Sequence, residues 1–561
     1  MTEQDSTYNL KSLSLPKLTG RGLRLFAAAL DAPATRRLLL PGLIKQGGVD
    51  YLRAQRPGED PTLYPFGPSY ERALRPLTPQ EVDAAFAESA AHGAPAPTIQ
   101  DYAAAYRQGK LTPEAVAECV LDAIARSDQG ELPLHAFVHT NREDLLAQAR
   151  QSGERLRVGK PLSLLDGVPV AVKDELDMAP YPSHAGTAFL GTTPAEDCSS
   201  VARLRAAGAL LIGKTTMNEL GLDVSGFNQH YGTVRNPHNP LHDTGGSSSG
   251  SGAAVAAGFC PVAIGCDGGG SVRVPAALCG VVGLKPSFGR ISEVGAVPLC
   301  PSVDAIGPLG VTTADVALAY GLMAGPDPRD PRSQFQPPVD LEGWNTPGLA
   351  GLTLGVYEPW FRHASPTVVA ACEGLLAQLQ AAGARLVPVV VADLDASRVA
   401  HAVSILTEQM ACLGDHREHM HQLGAPARVT LSLVNGFNGT DYVQAQRIRT
   451  RAIANLESIF TGVDAIITPA TAITAPLIPP DGPAAGWSDL SATTEIMRYA
   501  FLTNLTGHPA ISFPAGYDSK GLPIGMQAIG RYWDEATLLR IAFNAERVVE
   551  RRKPSVFYSI Y

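Results

Sequence analysis

Three glycine-rich segments of the 561-residue chain carry residues able to do chemistry. Gly208-Ala-Leu-Leu-Ile-Gly213-Lys214-Thr215 fits the phosphate-loop pattern G-x-x-x-x-G-K-[ST]. That pattern works by turning backbone N–H groups onto an anion. Residues 209–212 read instead as an apolar strand whose amides belong to a sheet, so no phosphate site is expected. Gly246-Ser-Ser-Ser-Gly250 fits the G-x-S-x-G nucleophile elbow around Ser248, with His508 as a late-chain base. An elbow follows directly on a buried strand, whereas polar residues 239–244 precede this one, and no paired acid stands out. The third segment, Gly265-Cys-Asp-Gly-Gly-Gly-Ser271, sets consecutive amides without side chains beside a hydroxyl. The amides of Gly268, Gly269, Gly270 and Ser271 can converge on an oxyanion. Ser271 is then the attacking hydroxyl, and a serine needs a base.

The third segment sits in a longer pattern. It runs through Gly245-Gly-Ser-Ser-Ser-Gly-Ser-Gly252, Gly265-Cys-Asp-Gly-Gly-Gly-Ser271-Val-Arg-Val-Pro275 and Gly280-Val-Val-Gly-Leu-Lys-Pro-Ser-Phe-Gly-Arg-Ile-Ser292. This closely resembles the signature of the amidase signature family. Gly167-Val-Pro-Val-Ala-Val-Lys173-Asp174 is similar to that family's lysine segment, and Ser247 follows Lys173 by 74 positions and precedes Ser271 by 24. Taken alone, Lys173 reads as a strand-end lysine and Ser247 as a turn serine; the joint spacing reverses both readings. The resemblance implies that Lys173 takes the proton of Ser247 and Ser247 that of Ser271. The proton then reaches the leaving amine, and water cleaves the acyl-enzyme. Lys173 ends an apolar strand, where desolvation disfavours its charged form, so a neutral amine is expected. Ser248, Asp267 and Arg273 are read as site support, the last two holding the glycine loop by an ion pair or hydrogen bonds. Cys266 stands where relatives carry Thr and reads as a buried thiol, not a second nucleophile. The reaction needs no cofactor.

Within the family the chain looks most like plant-type fatty acid amide hydrolases. The resemblance lies in residues 10–100, Thr440-Asp-Tyr-Val-Gln-Ala-Gln-Arg-Ile-Arg449, residues 468–481, residues 522–531 and the ending Val556-Phe-Tyr-Ser-Ile-Tyr561. It implies hydrolysis of N-acylethanolamines and related long-chain amides to a free fatty acid and an amine. It also implies a substrate channel along residues 218–228, with Gly221 the best-aligned position, and a homodimer. Other pocket residues are expected from about 400–440 and 470–500. Two other readings stay within the family. One is the amidase component of glutamyl-tRNA amidotransferase, which works with a tRNA and a partner protein and leaves the long N-terminal extension without a place. A generic short-chain or aryl amidase is the other. A membrane-bound scaffold with a degenerate site is a reading from another class, opposed by three intact catalytic positions.

The elements that must position these residues follow an α/β pattern. Strands are expected at 168–172, 209–212, 352–356, 385–391, 465–468, 510–513 and 523–529, and helices at 102–126, 199–207, 366–382 and 535–549. Alternation of this kind indicates a large mixed β-sheet covered by helices on both faces. Residues 1–95 read as an N-terminal helical extension and 96–561 as the catalytic domain, with a Pro- and Asp-rich connector at about 326–347. Leu23, Phe26, Ala27 and Leu30 share a helix face, which Pro33 ends. Residues 11–49 hold seven basic residues and one acid, so a basic amphipathic hairpin is expected to lie on an anionic membrane surface or to pack on protein.

The net charge of −9 argues against a dedicated nucleic-acid binder. The eight cysteines include no Cys-x-x-Cys and read as reduced buried thiols. Residues 1–16 lack a signal-peptide layout, and no apolar run reaches the length of a spanning helix, so a cytoplasmic, at most peripherally membrane-associated protein is expected. Asp415-His416-Arg-Glu418-His419-Met-His421 reads as a polar helix face and not as a metal site. Asn438-Gly-Thr440 and Asn504-Leu-Thr506 are glycosylation-type triplets without meaning in a chain that is not secreted. Glycine is concentrated: 13 of 55 fall within residues 245–295.

Overall fold

Short runs of Val, Ala and Ile with no polar alternation form strands buried on both faces, the pattern of a sheet covered on each side. The computed structural model describes residues 8–13, 17–69, 75–86 and 93–561. Its main sheet has 11 strands. They are β1 (Phe137–His139), β2 (Pro169–Lys173), β3 (Leu210–Thr215), β4 (Val262–Cys266), β5 (Val282–Lys285) and β6 (Ile306–Gly310), then β7 (Thr353–Val356), β8 (Arg385–Pro388), β9 (Ala465–Pro469), β10 (Ala510–Tyr517) and β11 (Pro523–Gly530). The order across the sheet is β8-β7-β9-β11-β10-β5-β6-β4-β2-β3-β1. The β3-β2-β4 group is parallel and so is β8-β7-β9, while the pairings between them are antiparallel.

The helices used below are α1 (Gly20–Asp31), α2 (Pro33–Gly47), α3 (Ser249–Ala256), α4 (Arg273–Cys279), α5 (Leu394–Cys412), α6 (Ala425–Ser432), α7 (Gly439–Phe460) and α8 (Glu535–Glu546). Both faces of the sheet are covered, as β11 shows directly. A Cβ on Gly525 would meet Ala277 of α4, and one on Gly530 would meet Leu538 of α8. Five residues apart on a strand, these positions face opposite sides. Helix α3 approaches the chain just ahead of β1 closely: a Cβ on Gly250 would lie 2.3 Å from the Ala136 carbonyl, so only glycine fits.

The helix expected at 102–126 is two, Ile99–Arg107 and Pro113–Ser127. The chain turns at Gly109, where φ is +66°, and Thr112 caps the second helix by accepting the Ala115 amide. Helix α2 runs through Pro41. Residues 326–347 lie between β6 and β7 in the chain, and Trp344 among them is buried against Phe86 and Phe543.

The N-terminal extension is bound into the catalytic body. Leu18 and Thr19 pair antiparallel with Ser488 and Trp487. Leu23, Ala27 and Leu30 of α1 pack on Ala425 and Val429 of α6, and Leu40, Ile44 and Leu52 join a core with α5 and α7. The apolar face read from the sequence is therefore spent on the protein itself. No helix among the described residues is long and apolar enough to cross a membrane.

Candidate active site

The parallel strands β2 and β4 lie side by side and end together. Val172 pairs with Ile264, which brings Lys173 and Cys266 to the same edge, the carboxyl ends where α/β sheets bind ligands. Beyond β4 the chain makes the Asp267–Ser271 loop and enters α4. Ser247 lies just ahead of α3. Lys173 Nζ donates to Ser247 Oγ at 2.9 Å and to the Cys266 carbonyl at 3.1 Å. Ser247 and Ser271 line one cavity, with no hydrogen bond between their hydroxyls among the described residues. Such contacts often tighten only when substrate is bound.

Burial alone does not govern the lysine. A turn closed by the Leu176 amide on the Lys173 carbonyl at 3.0 Å folds Glu175 back, and its Oε1 lies 2.8 Å from Nζ. Burial works most strongly against the charged amine, but Glu175, by its charge and its hydrogen bond, together with Cys266 and Asp304, outweighs it and holds Lys173 above its ordinary value. The neutral amine expected from desolvation is thus opposed by a carboxylate that the motif did not reveal. Burial in turn pushes the Glu175 carboxyl up to about 7.

The glycine loop is held from beneath by a buried ion pair. Asp267 accepts from Arg273 Nε at 3.0 Å and Nη2 at 2.9 Å, from Asn504 at 2.9 Å, and from the amides of Gly270 at 2.6 Å and Val272 at 3.0 Å. Although burial disfavours its charge, Arg273 holds the Asp267 carboxyl well below the usual carboxylate range. The Gly270 amide is thereby committed to Asp267, which takes it out of the expected set of oxyanion donors. The amides of Gly268, Gly269 and Ser271 have no protein acceptor among the described residues. His401 of α5, which the sequence reading did not single out, donates through Nε2–H to the Gly268 carbonyl at 2.7 Å. Burial lowers His401 to about 4, so it is neutral. Because C=O and N–H point opposite ways across a trans peptide, this bond directs the Gly269 N–H away from α5.

The cavity begins at Lys173, Ser247 and Ser271 and has largely apolar walls, including Leu220, Leu299, Ile405, Leu406, Leu433, Met497 and Phe501. It reaches Leu10, Lys11, Leu13, Leu43 and Gln46 of the N-terminal extension, where Lys11 and Gln46 are exposed. Residues 220–224 line it, with Gly221 at φ +65°, where a Cβ would lie 3.3 Å from Ser247 Oγ. Wall residues also come from 401–433 and 490–501.

The competing motifs lie elsewhere. Leu210–Thr215 is strand β3, with its backbone in ladders, and Lys214 Nζ donates to the Leu176 carbonyl at 2.7 Å. Ser248 is buried at the start of α3, its amide on the Ser271 carbonyl at 3.2 Å, outside the cavity lining. The residues before it form a small two-stranded pair with Arg235–Asn236, not a strand of the main sheet. His508 is buried, bonded to Glu457 and stacked on Tyr532. Cys266 donates to Asp304 at 2.9 Å, and burial raises its thiol well above the usual value, which keeps it protonated and unreactive. His416 and His419 lie on a 3-10 helix, Gly414–Gln422, against Phe189. No group of three or more His, Cys, Asp or Glu among the described residues is arranged to hold a metal.

The amidase family profile matches residues 118–539. The chain is 38% identical to the fatty acid amide hydrolase of Medicago truncatula, over 99% of this chain and 96% of that protein. It is 36% identical to the fatty acid amide hydrolase of Arabidopsis thaliana, again over 99% of this chain and 96% of that protein. Among solved structures it is similar to the native peptide amidase from Stenotrophomonas maltophilia, with a TM-score of 0.69 and 28% identity over 84% of this chain and 98% of that one. The hydrolase matches span the N-terminal extension as well as the signature segment. The chain therefore belongs to the amidase family and is an amide hydrolase with the amidase signature fold.

Proposed function

We propose that the chain hydrolyses long-chain fatty acid amides, N-acylethanolamines among them, to a free fatty acid and an amine. The observation that carries this reading is the apolar cavity that joins Ser271 to the surface at Lys11 and Gln46. A fatty acyl chain lies along the aliphatic wall with its amide carbonyl at the Asp267–Ser271 loop. Ser271 attacks that carbonyl, and the amides of Gly268, Gly269 and Ser271 receive the oxyanion. Ser247 takes the Ser271 proton and passes its own to Lys173. The reverse relay protonates the leaving nitrogen, and water then cleaves the acyl-enzyme. The naming of the plant relatives as fatty acid amide hydrolases supports the same substrate class.

The opening lies beside the N-terminal hairpin. Leu25 and Leu38 there are 72% and 82% exposed, with Arg21, Arg24 and Arg37 exposed near them in sequence. This surface suits an anionic bilayer from which an amide enters the cavity, or a second copy of the chain. An acyl-length series of ethanolamides tests the substrate class. kcat/KM rises with acyl length toward long chains if the cavity holds the acyl group. A flat or short-chain-biased series overturns the fatty-amide reading, and glutamine-dependent transamidation with a partner would replace it with the tRNA reading.

A further inference from the structure

We infer that Glu175 and Lys173 act as a proton-sharing pair, so that the base of the relay is the pair and not the lysine alone. This rests on the Ser271–Ser247–Lys173 reading above. Three oxygens surround Lys173 Nζ: Ser247 Oγ at 2.9 Å, the Cys266 carbonyl at 3.1 Å and Glu175 Oε1 at 2.8 Å. Three acceptors suit an ammonium, and an ammonium has no lone pair with which to take a proton from Ser247. Lys173 is 1% and Glu175 2% exposed at the inner end of the cavity, so the nearest acceptors for the ammonium proton are these three oxygens. Of the three oxygens, the Ser247 hydroxyl is itself the proton donor of the relay and the Cys266 carbonyl is a very weak base. Glu175 Oε1 remains, beside the Cys266 thiol.

The step is a single proton transfer. One N–H bond of Lys173 breaks and one O–H bond forms on Glu175, turning a buried ion pair into a neutral pair without net change of charge. Burial favours that form. Rotation about the Cε–Nζ bond turns the freed lone pair to Ser247. The lysine then takes the Ser247 proton as Ser271 attacks, and returns it through Ser247 to the leaving nitrogen. Glu175 keeps its own proton throughout and leaves Lys173 ready to assist the attack of water. Of the other groups facing the pair, Asp304, which accepts the Cys266 thiol at 2.9 Å and the Cys300 thiol at 3.6 Å, favours a protonated Glu175, while the Cys266 thiol favours its carboxylate.

The sign of the pH dependence separates the pair from a lone lysine. A second proton on the pair, bound as pH falls through about 7, leaves an ammonium beside a neutral carboxyl and no base. A lone lysine held up by Glu175 loses its proton only above the ordinary 10.5. The test is the pH profile of kcat/KM on a long-chain amide for the full chain and its Glu175→Gln and Glu175→Asp variants. The expected wild-type profile falls to half on the acid side near pH 7. Glu175→Gln moves that limb up by a unit or more and lowers activity at pH 7 by about a hundredfold. Glu175→Asp brings the limb back toward wild type. A wild-type limb above pH 10, or a Glu175→Gln limb that coincides with wild type whatever the rate, overturns the pair. The half-point does not depend on the fraction of folded enzyme, so a destabilised variant still decides. Turnover that survives in Ser271→Ala overturns the triad itself; its loss with an unmoved limb overturns only the pair.

Discussion

Around Ser271 a decisive contact is made by a residue of the cavity wall. His401 holds the Gly268 carbonyl, and through it the direction of the Gly269 N–H. Replacing His401 with Phe keeps the bulk on α5 and removes the bond. Displacement of one donor by a fraction of an ångström costs on the order of tenfold or more in kcat. The expected result, measured by steady-state kinetics on a long-chain amide, is a fall in kcat with KM nearly unchanged. An equal rise in KM at constant kcat would place His401 in acyl binding. Cys266 illustrates a residue whose identity draws attention without carrying chemistry: its thiol is buried and bonded to Asp304.

At the scale of elements, the loop between β4 and α4 depends on Asp267 and Arg273, both at most 1% exposed. Breaking one partner of such a pair leaves a buried charge uncompensated and costs about 3–5 kcal/mol. Asp267→Asn should therefore lower the melting temperature markedly. The carboxyl of Asp267 is depressed in the folded state, so its contribution is complete above the ordinary 3.8 and is lost as pH falls below it toward the native value. Acid unfolding monitored by circular dichroism should be steeper below pH 4 in the wild type than in Asp267→Asn. Equal slopes would remove Asp267 from the acid response. What the sequence disclosed at this scale follows from periodicity and glycine. β2, β3, β7, β9, β10 and β11 could be read as apolar runs, and the glycine loop as amides free to converge. The commitment of the Gly270 amide to Asp267 could not, because it depends on how the loop folds back on the carboxylate. Glu175 was hidden for the same reason: a turn, not a spacing, brings it onto Lys173. The unbroken helix through Pro41 reflects packing of Leu40 and Ile44 against α5 and α7, which overrides the local penalty of proline.

Taken whole, the molecule uses its N-terminal extension as part of the cavity wall, not as a detachable arm. Leu10, Leu13 and Leu43 line the cavity, while Leu40, Ile44 and Leu52 lie in the core. Removing the extension would open both, so its surface role is better tested where side chains are exposed. Leu25→Asp with Leu38→Asp should leave the melting temperature and turnover of a water-soluble short amide unchanged. Co-sedimentation with anionic phosphatidylserine vesicles should fall about tenfold or more, as two buried leucines are worth several kcal/mol at a bilayer. Unchanged sedimentation together with a shift in oligomeric state would assign the surface to a second copy. The charge pattern that suggested a membrane face was legible from sequence; which leucines remain free was not, since α1 spends Leu23, Ala27 and Leu30 on α6. The central claim, that Ser271 carries the acyl group in an apolar cavity, is tested most directly by a long-chain fluorophosphonate with the adduct located by peptide mass spectrometry. One adduct is expected, on the peptide containing Ser271, and it should be absent in Ser271→Ala; an adduct on Ser248, or one that persists in Ser271→Ala, would contradict the account.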